Sequence, residues 1–143
     1  MARIFGGLAC DESVMLRYRS AWLGGGWLLV TLVSVLSLMP NPPEPFSFSY
    51  VDKVEHGMAY AALSLWFCQL YLGAHQRVVV ALIAMGVLIE ILQGLSGYRY
   101  FEYADMLANS TGVLLGFLWA RSCYGRVFIC IENGIKSESG KKT

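Results

Sequence analysis

Residues 78–95 read VVVALIAMGVLIEILQGL, a run in which Glu90 is the one charged side chain. At 1.5 Å per residue the run approaches the length needed to cross a hydrocarbon core about 30 Å thick. A backbone in lipid must satisfy its own amides and carbonyls, so the run reads as a helix. Glu90 is then the anomaly. An ionised group at the bilayer centre costs about 2.5 kcal/mol or more unless it is partnered or hydrated, so this carboxylate needs a proton, a cation or water.

Three further apolar stretches accompany it: Ala21 to Met39, His56 to Leu72 and Met106 to Tyr124. Pro40, Pro42, Pro43 and Pro45 stop the first, Gly73 to Arg77 separates the second from the third, and Ser96 to Tyr103 separates the third from the fourth. Composition agrees with a membrane environment. Of 143 residues 56% are hydrophobic and 15% charged, against about 25% charged in an average soluble domain, and mean hydropathy is +0.51. The expected class is therefore all-α, an integral membrane bundle of four transmembrane helices. It occupies 21–125, with an N-terminal cytoplasmic segment at 1–20 and a C-terminal cytoplasmic tail at 126–143.

Arg17 and Arg19 before the first stretch would also suit a cleaved signal peptide. The run is long for a signal core and ends at Pro40 without a small-x-small cleavage site, so a retained helix is the expectation. In the tail, Val127 to Ile131 could lie at the interface, and Glu132 to Thr143, rich in Lys, Ser and Gly, reads as disordered. Cys10, Cys68, Cys123 and Cys130 have no paired spacing and are expected as free thiols.

With both termini in the cytoplasm, that side collects Arg3, Arg17, Arg19, Arg77, Arg121, Arg126, Lys136, Lys141 and Lys142, leaving Lys53 and Arg99 outside. The positive-inside rule favours this orientation. The same asymmetry accounts for the basic residues without a nucleic-acid partner.

Topology gives the polar residues a shared address. Asp52, Lys53 and His56 start the second helix, Glu90 and Gln93 lie in the outer half of the third, and Arg99, Glu102, Asp105 and Asn109 lead into the fourth. Asp52, His56 and Tyr60 are four apart, Gly86, Glu90, Gln93 and Gly97 follow a four-three-four spacing, and so do Asp105, Asn109, Gly112 and Gly116. Each set is one helical stripe. Gly112 and Gly116, a GxxxG pair, would let two backbones approach closely. The substrate-binding candidates are Asp52, Lys53, His56, Tyr60, Glu90, Gln93, Arg99, Asp105 and Asn109, with His56 and Glu90 as candidate proton-transfer groups.

Structural alternatives accompany these assignments. Asp52 and Asp105 could cap the second and fourth helices, and Glu90 could be a hydrogen-bonded latch to His56, Gln93 or Arg99. Tyr60, Tyr98, Tyr100, Phe101 and Tyr103 read first as an interfacial aromatic belt and second as a substrate cage. Asp52, His56, Glu90 and Asp105 include metal-ligand types, but no HExxH pair, cysteine cluster or dense carboxylate motif fixes a geometry, so neither metal nor cofactor is assigned. Ser96 and Ser110 lack a GxSxG setting, Gly24 to Gly26 reads as close packing within the first helix, and His75 reads as a loop residue on the opposite side.

The run Asp52-Lys53-Val54-Glu55-His56-Gly57-Met58-Ala59-Tyr60, then Glu90-Ile91-Leu92-Gln93, then Arg99 with Asp105-Met106-Leu107-Ala108-Asn109 and Gly112 to Gly116, resembles the VanZ-like family of small membrane proteins. The likeness covers Asp52 to Leu118. Its namesake is associated with teicoplanin resistance, so the resemblance implies a role in the bacterial cell envelope, at the inner membrane, and in glycopeptide susceptibility. The leading expectation is an outward-facing polar cleft that binds or modifies an envelope lipid or peptidoglycan precursor. One alternative is a membrane hydrolase of a lipid-linked phosphate or ester, in which His56 or Glu90 is the base, Arg99 holds the anion and Asp52 or Asp105 orients the base. Another is a noncatalytic assembly factor. Membrane lipids are expected partners in each case, and self-association into a homo-oligomer is left open.

Overall fold

The computed structural model describes residues 16–40, 51–97, 101–122 and 127–139, and all regular structure in them is helical. Four long helices, α1 (Arg19–Leu38), α2 (Val51–Leu70), α3 (His75–Leu95) and α4 (Tyr103–Arg121), are followed by a shorter α5 (Val127–Ser139). The all-α expectation holds. Among the described residues, α1 and α3 are long and apolar enough to cross a membrane. With 20 and 19 residues α2 and α4 have comparable length, but their buried polar residues, among them His56, Ser64, Gln69, Asp105 and Asn109, dilute their apolar character.

Polar side chains are buried beside the apolar core while large apolar ones lie exposed on the outside. Glu90, Gln93, Asp105, Asn109 and Ser64 are buried, whereas Trp27, Leu28, Val80, Leu95, Leu107, Leu118 and Trp119 are each at least 60% exposed. A water-soluble monomer rarely leaves so much apolar surface uncovered, and lipid accepts it without cost.

The tightest crossing joins α2 to α4. A Cβ placed on Gly112 would collide with the carbonyl oxygen of Gly57, and one on Gly116 with that of Ala61. The GxxxG stripe therefore faces α2, and the two backbones meet without intervening side chains. Ser64 Oγ donates to the Val113 carbonyl at 2.7 Å within the same seam. The Gly25 and Gly26 positions on α1 make room in a similar way, for Trp66 and Phe67. An apolar core including Tyr60, Leu63, Phe67, Leu82 and Val113 fills the centre.

The expectation of a disordered tail from Glu132 is corrected. Residues from both sides of that boundary form α5, and the helix is fastened at two points. Phe128 is buried, stacks on Trp22 with ring centroids 4.1 Å apart, and donates its amide to Gln69 Oε1 at 3.1 Å. One turn on, the Glu132 carboxylate accepts the amides of Arg17 (2.8 Å) and Tyr18 (3.1 Å) and the Trp22 indole N–H (2.9 Å). It thereby serves the entrance of α1, whose N-cap Tyr18 provides no side-chain cap. Partial desolvation opposes ionisation of Glu132, but these hydrogen bonds and the nearby Arg17 charge outweigh it and hold the carboxyl below its ordinary range.

The crossing yields a direct test. Gly112→Ala should lower stability by about 1–3 kcal/mol, because the added methyl must displace backbone rather than a side chain, and Gly112→Leu should do more. Thermal unfolding of purified protein in detergent measures both. Unchanged midpoints would mean that this face does not pack.

Candidate functional site

The start of α2, the end of α3 and the start of α4 meet at one end of the bundle, and the α2–α4 seam sets their spacing. Asp52 and Lys53 lie in the first turn of α2, with His56 one turn further along the Asp52 stripe. His56 Nε2 is 3.6 Å from Asp52 Oδ1. Lys53 reaches across to α4, its Nζ 2.7 Å from Glu102 Oε2 and 3.1 Å from Asp105 Oδ1. Asp105 and His56 are both buried. One donor atom from each of Asp52, His56 and Asp105 falls within 4.8 Å of the others.

A second group lies beneath. Glu90 is 1% exposed, and its Oε1 accepts the amide of Glu102 at 2.6 Å. Glu102 is the N-cap residue of α4 and makes no side-chain cap bond of its own. A carboxylate from α3 thus receives the amide where α4 begins, a charge-assisted bond across two elements. One turn before Glu90, a Cβ on Gly86 would lie 3.3 Å from both Asn109 Cβ and Tyr60 Cε1. The glycine lets those two side chains close over α3. Tyr60 Oη and Asn109 Oδ1 are fully buried and have no hydrogen-bond partner among the described residues, the situation in which buried polar atoms ordinarily recruit water or a ligand.

Most of the candidates read from the sequence converge, and their roles separate. Asp52, Lys53, His56 and Asp105 form the upper cluster, and Glu90 joins it through Glu102, which also holds Lys53. Tyr60 and Asn109 sit at the Gly86 junction. Gln93 turns elsewhere, donating Nε2 to the Ser37 carbonyl at 2.7 Å and tying α3 to the end of α1. Arg99, Tyr98 and Tyr100 lie outside the described residues.

Three expectations need correction. Asp52 is the second residue of α2 rather than its cap. Asp105 is the third residue of α4 rather than its cap, and its carboxylate meets Lys53. His75 opens α3 instead of lying in a loop, and its Nε2 donates to the Cys68 carbonyl at 3.0 Å. Glu102 was missed as a site residue. Its signal was a place beside the stripe that begins at Asp105, but spacing alone does not reveal that it pairs with Lys53.

The geometry provides an imidazole with a carboxylate 3.6 Å away, a cation beside a buried carboxylate, and further buried polar groups at the Gly86 junction. An imidazole so placed can transfer protons, and the Lys53 ammonium can attract an anion. Asp52, His56 and Asp105 also form a donor set suited to a hard or borderline cation. Lys53 Nζ, 3.1 Å from the Asp105 oxygen, already brings positive charge there.

The Lys53–Asp105 contact should be measurable. Lys53→Met leaves Asp105 buried with less compensation and should cost about 1–3 kcal/mol. Combining it with Asp105→Asn should recover part of that loss, giving a coupling of about 0.5–3 kcal/mol in a double-mutant cycle. Strict additivity of unfolding free energies in detergent would contradict the contact.

No curated protein and no solved structure gives a significant match to the chain. The VanZ/LLP1 family matches residues 15–124, which include α1 to α4 and every residue of the cluster. By that match, the chain belongs to the VanZ/LLP1 family.

Proposed function

We propose that this protein crosses a bacterial inner membrane four times with both termini in the cytoplasm, and that its polar cluster opens outward to bind or modify an envelope lipid or peptidoglycan precursor. One observation carries the reading: three carboxylates, an imidazole and an ammonium are gathered at one end of a bundle whose outer surface is apolar. A ligand approaching from the membrane plane could keep its apolar part in lipid while its polar head met the cluster. The concentration of Lys and Arg toward the opposite end supports an outward orientation for the cluster.

The Asp52–His56 pair favours a hydrolytic version of this reading. His56 would take a proton from water, the water oxygen would attack phosphorus or an ester carbon, and the released lipid alcohol would recover the proton. Lys53, together with Arg99, would hold the anionic oxygens, and Asp52 would orient the imidazole. Glu90 is the second candidate base, although its bond to the Glu102 amide suits the alternative in which the cluster only locks the helices of a noncatalytic assembly factor. A glycopeptide-susceptibility phenotype would follow from either lipid reading.

Lipid and precursor profiling of a deletion strain, complemented by wild type, Glu90→Gln or His56→Ala, distinguishes these versions. A catalytic His56 predicts that His56→Ala inserts and folds normally yet turns over about 10²–10⁴-fold more slowly. A changed product pool supports chemistry, and copurification of an unchanged lipid supports binding. Full retention of the envelope phenotype by both variants would reject a functional cluster. Orientation has its own check. Impermeant reagents should label Glu44 and Tyr100 positions from outside and Arg77 only after permeabilisation, and the opposite pattern would invert the topology.

A further inference from the structure

The end of the bundle opposite the polar cluster contains a groove of about 580 Å³, lined by Leu72, His75, Arg77, Phe117 and Arg121 among others, none of them acidic. It forms where α2 ends, α3 begins and α4 ends. Arg77 and Arg121 are exposed, and among the described residues neither has a carboxylate partner. The Arg121 guanidinium lies 5.5 Å from the centre of the Phe117 ring, which restrains its plane. The imidazole of His75 is held by its bond to the Cys68 carbonyl and meets the same ring edge-on.

We propose that this groove binds a phosphate group, with a phospholipid headgroup as the occupant its surroundings favour. Two guanidiniums bring planar sets of N–H donors suited to phosphate oxygens. Their charge alone would be ordinary at a membrane surface. The groove adds concavity, a wall without carboxylates, and an apolar continuation. Val80 lies three residues beyond Arg77 on α3, and Leu118 three residues before Arg121 on α4, each toward the middle of its helix. Both are exposed, so each arginine is followed along its stripe by a side chain that could flank an acyl chain. The groove is separate from the polar cluster, and its fit to phosphate does not depend on which end faces the cytoplasm.

The test uses the full chain purified in mild detergent. Native mass spectrometry measures retention of added phosphatidylglycerol and phosphatidylcholine, and ³¹P line broadening measures binding of inorganic phosphate. Wild type should retain phosphatidylglycerol, and Arg77→Gln/Arg121→Gln should retain it about tenfold less. Lys141→Gln/Lys142→Gln, which removes the same charge elsewhere, should behave as wild type. Arg77→Lys/Arg121→Lys keeps charge but not the planar donors and should fall between; it also serves if the glutamine variant proves unstable. Arginine-dependent retention of lipid identifies a headgroup, whereas arginine-dependent binding of inorganic phosphate without lipid retention identifies free phosphate, and either supports a phosphate site. Binding of neither probe, or equal loss in the Lys141/Lys142 variant, would overturn it.

Discussion

The close approach of α2 and α4 is the constraint on which the other features depend. Helices in lipid gain little from hiding apolar side chains, since the surroundings are equally apolar, and association rests on packing and interhelical hydrogen bonds. Gly57, Ala61, Gly112 and Gly116 allow main chain to meet main chain. That distance brings Ser64 within reach of the Val113 carbonyl and Lys53 within reach of Asp105. A wider seam would leave Asp105 and Asn109 facing a gap, and their burial would become a penalty. The glycines at one end of the stripe therefore make the polar residues at the other end tolerable.

The polar cluster is held by the same bonds that would limit its chemistry. Glu90 is committed at Oε1 to the start of α4, and Lys53 is divided between Glu102 and Asp105. Breaking a buried pair by removing one partner is strongly destabilising, although replacing a whole buried network by apolar groups is often neutral. A cluster kept only for stability would have a simpler apolar substitute. This favours a role for the charges beyond holding helices together. The Tyr60 hydroxyl and Asn109 oxygen point the same way, because neither has a hydrogen-bond partner among the described residues to offset its burial.

Hydropathy located the four long helices but placed their starts consistently too late. The second stretch was expected from His56, whereas α2 begins at Val51; the fourth was expected from Met106, whereas α4 begins at Tyr103. Hydropathy marks how far a segment sits in lipid, while backbone hydrogen bonding continues into the polar flank. Asp52, Lys53 and Asp105 thus belong to helices and share their stripes. Four-residue spacing was enough to bring Asp52 and His56 together, and the GxxxG pattern marked the face of α4 that packs. Pairings between helices were less legible: nothing in the spacing of Gln93 distinguishes a bond to Ser37 from a place in the cluster. The fifth helix was hidden because one aromatic residue and one carboxylate fasten it, and neither contact is local in sequence.

The two ends of the bundle carry opposite electrostatic characters. Glu102 and Asp105 hold Lys53 at one, with Asp52 beside His56, and Arg17, Arg19, Arg77 and Arg121 gather at the other. A helix of about 20 residues separates them by about 30 Å, several times the Debye length of about 8 Å at physiological ionic strength. Charges exposed to water at one end are therefore screened from those at the other, and the two surfaces could diversify without disturbing each other's protonation. What they share is mechanical. Each is formed by ends of α2, α3 and α4, so both depend on the α2–α4 seam that Gly112 and Gly116 keep close.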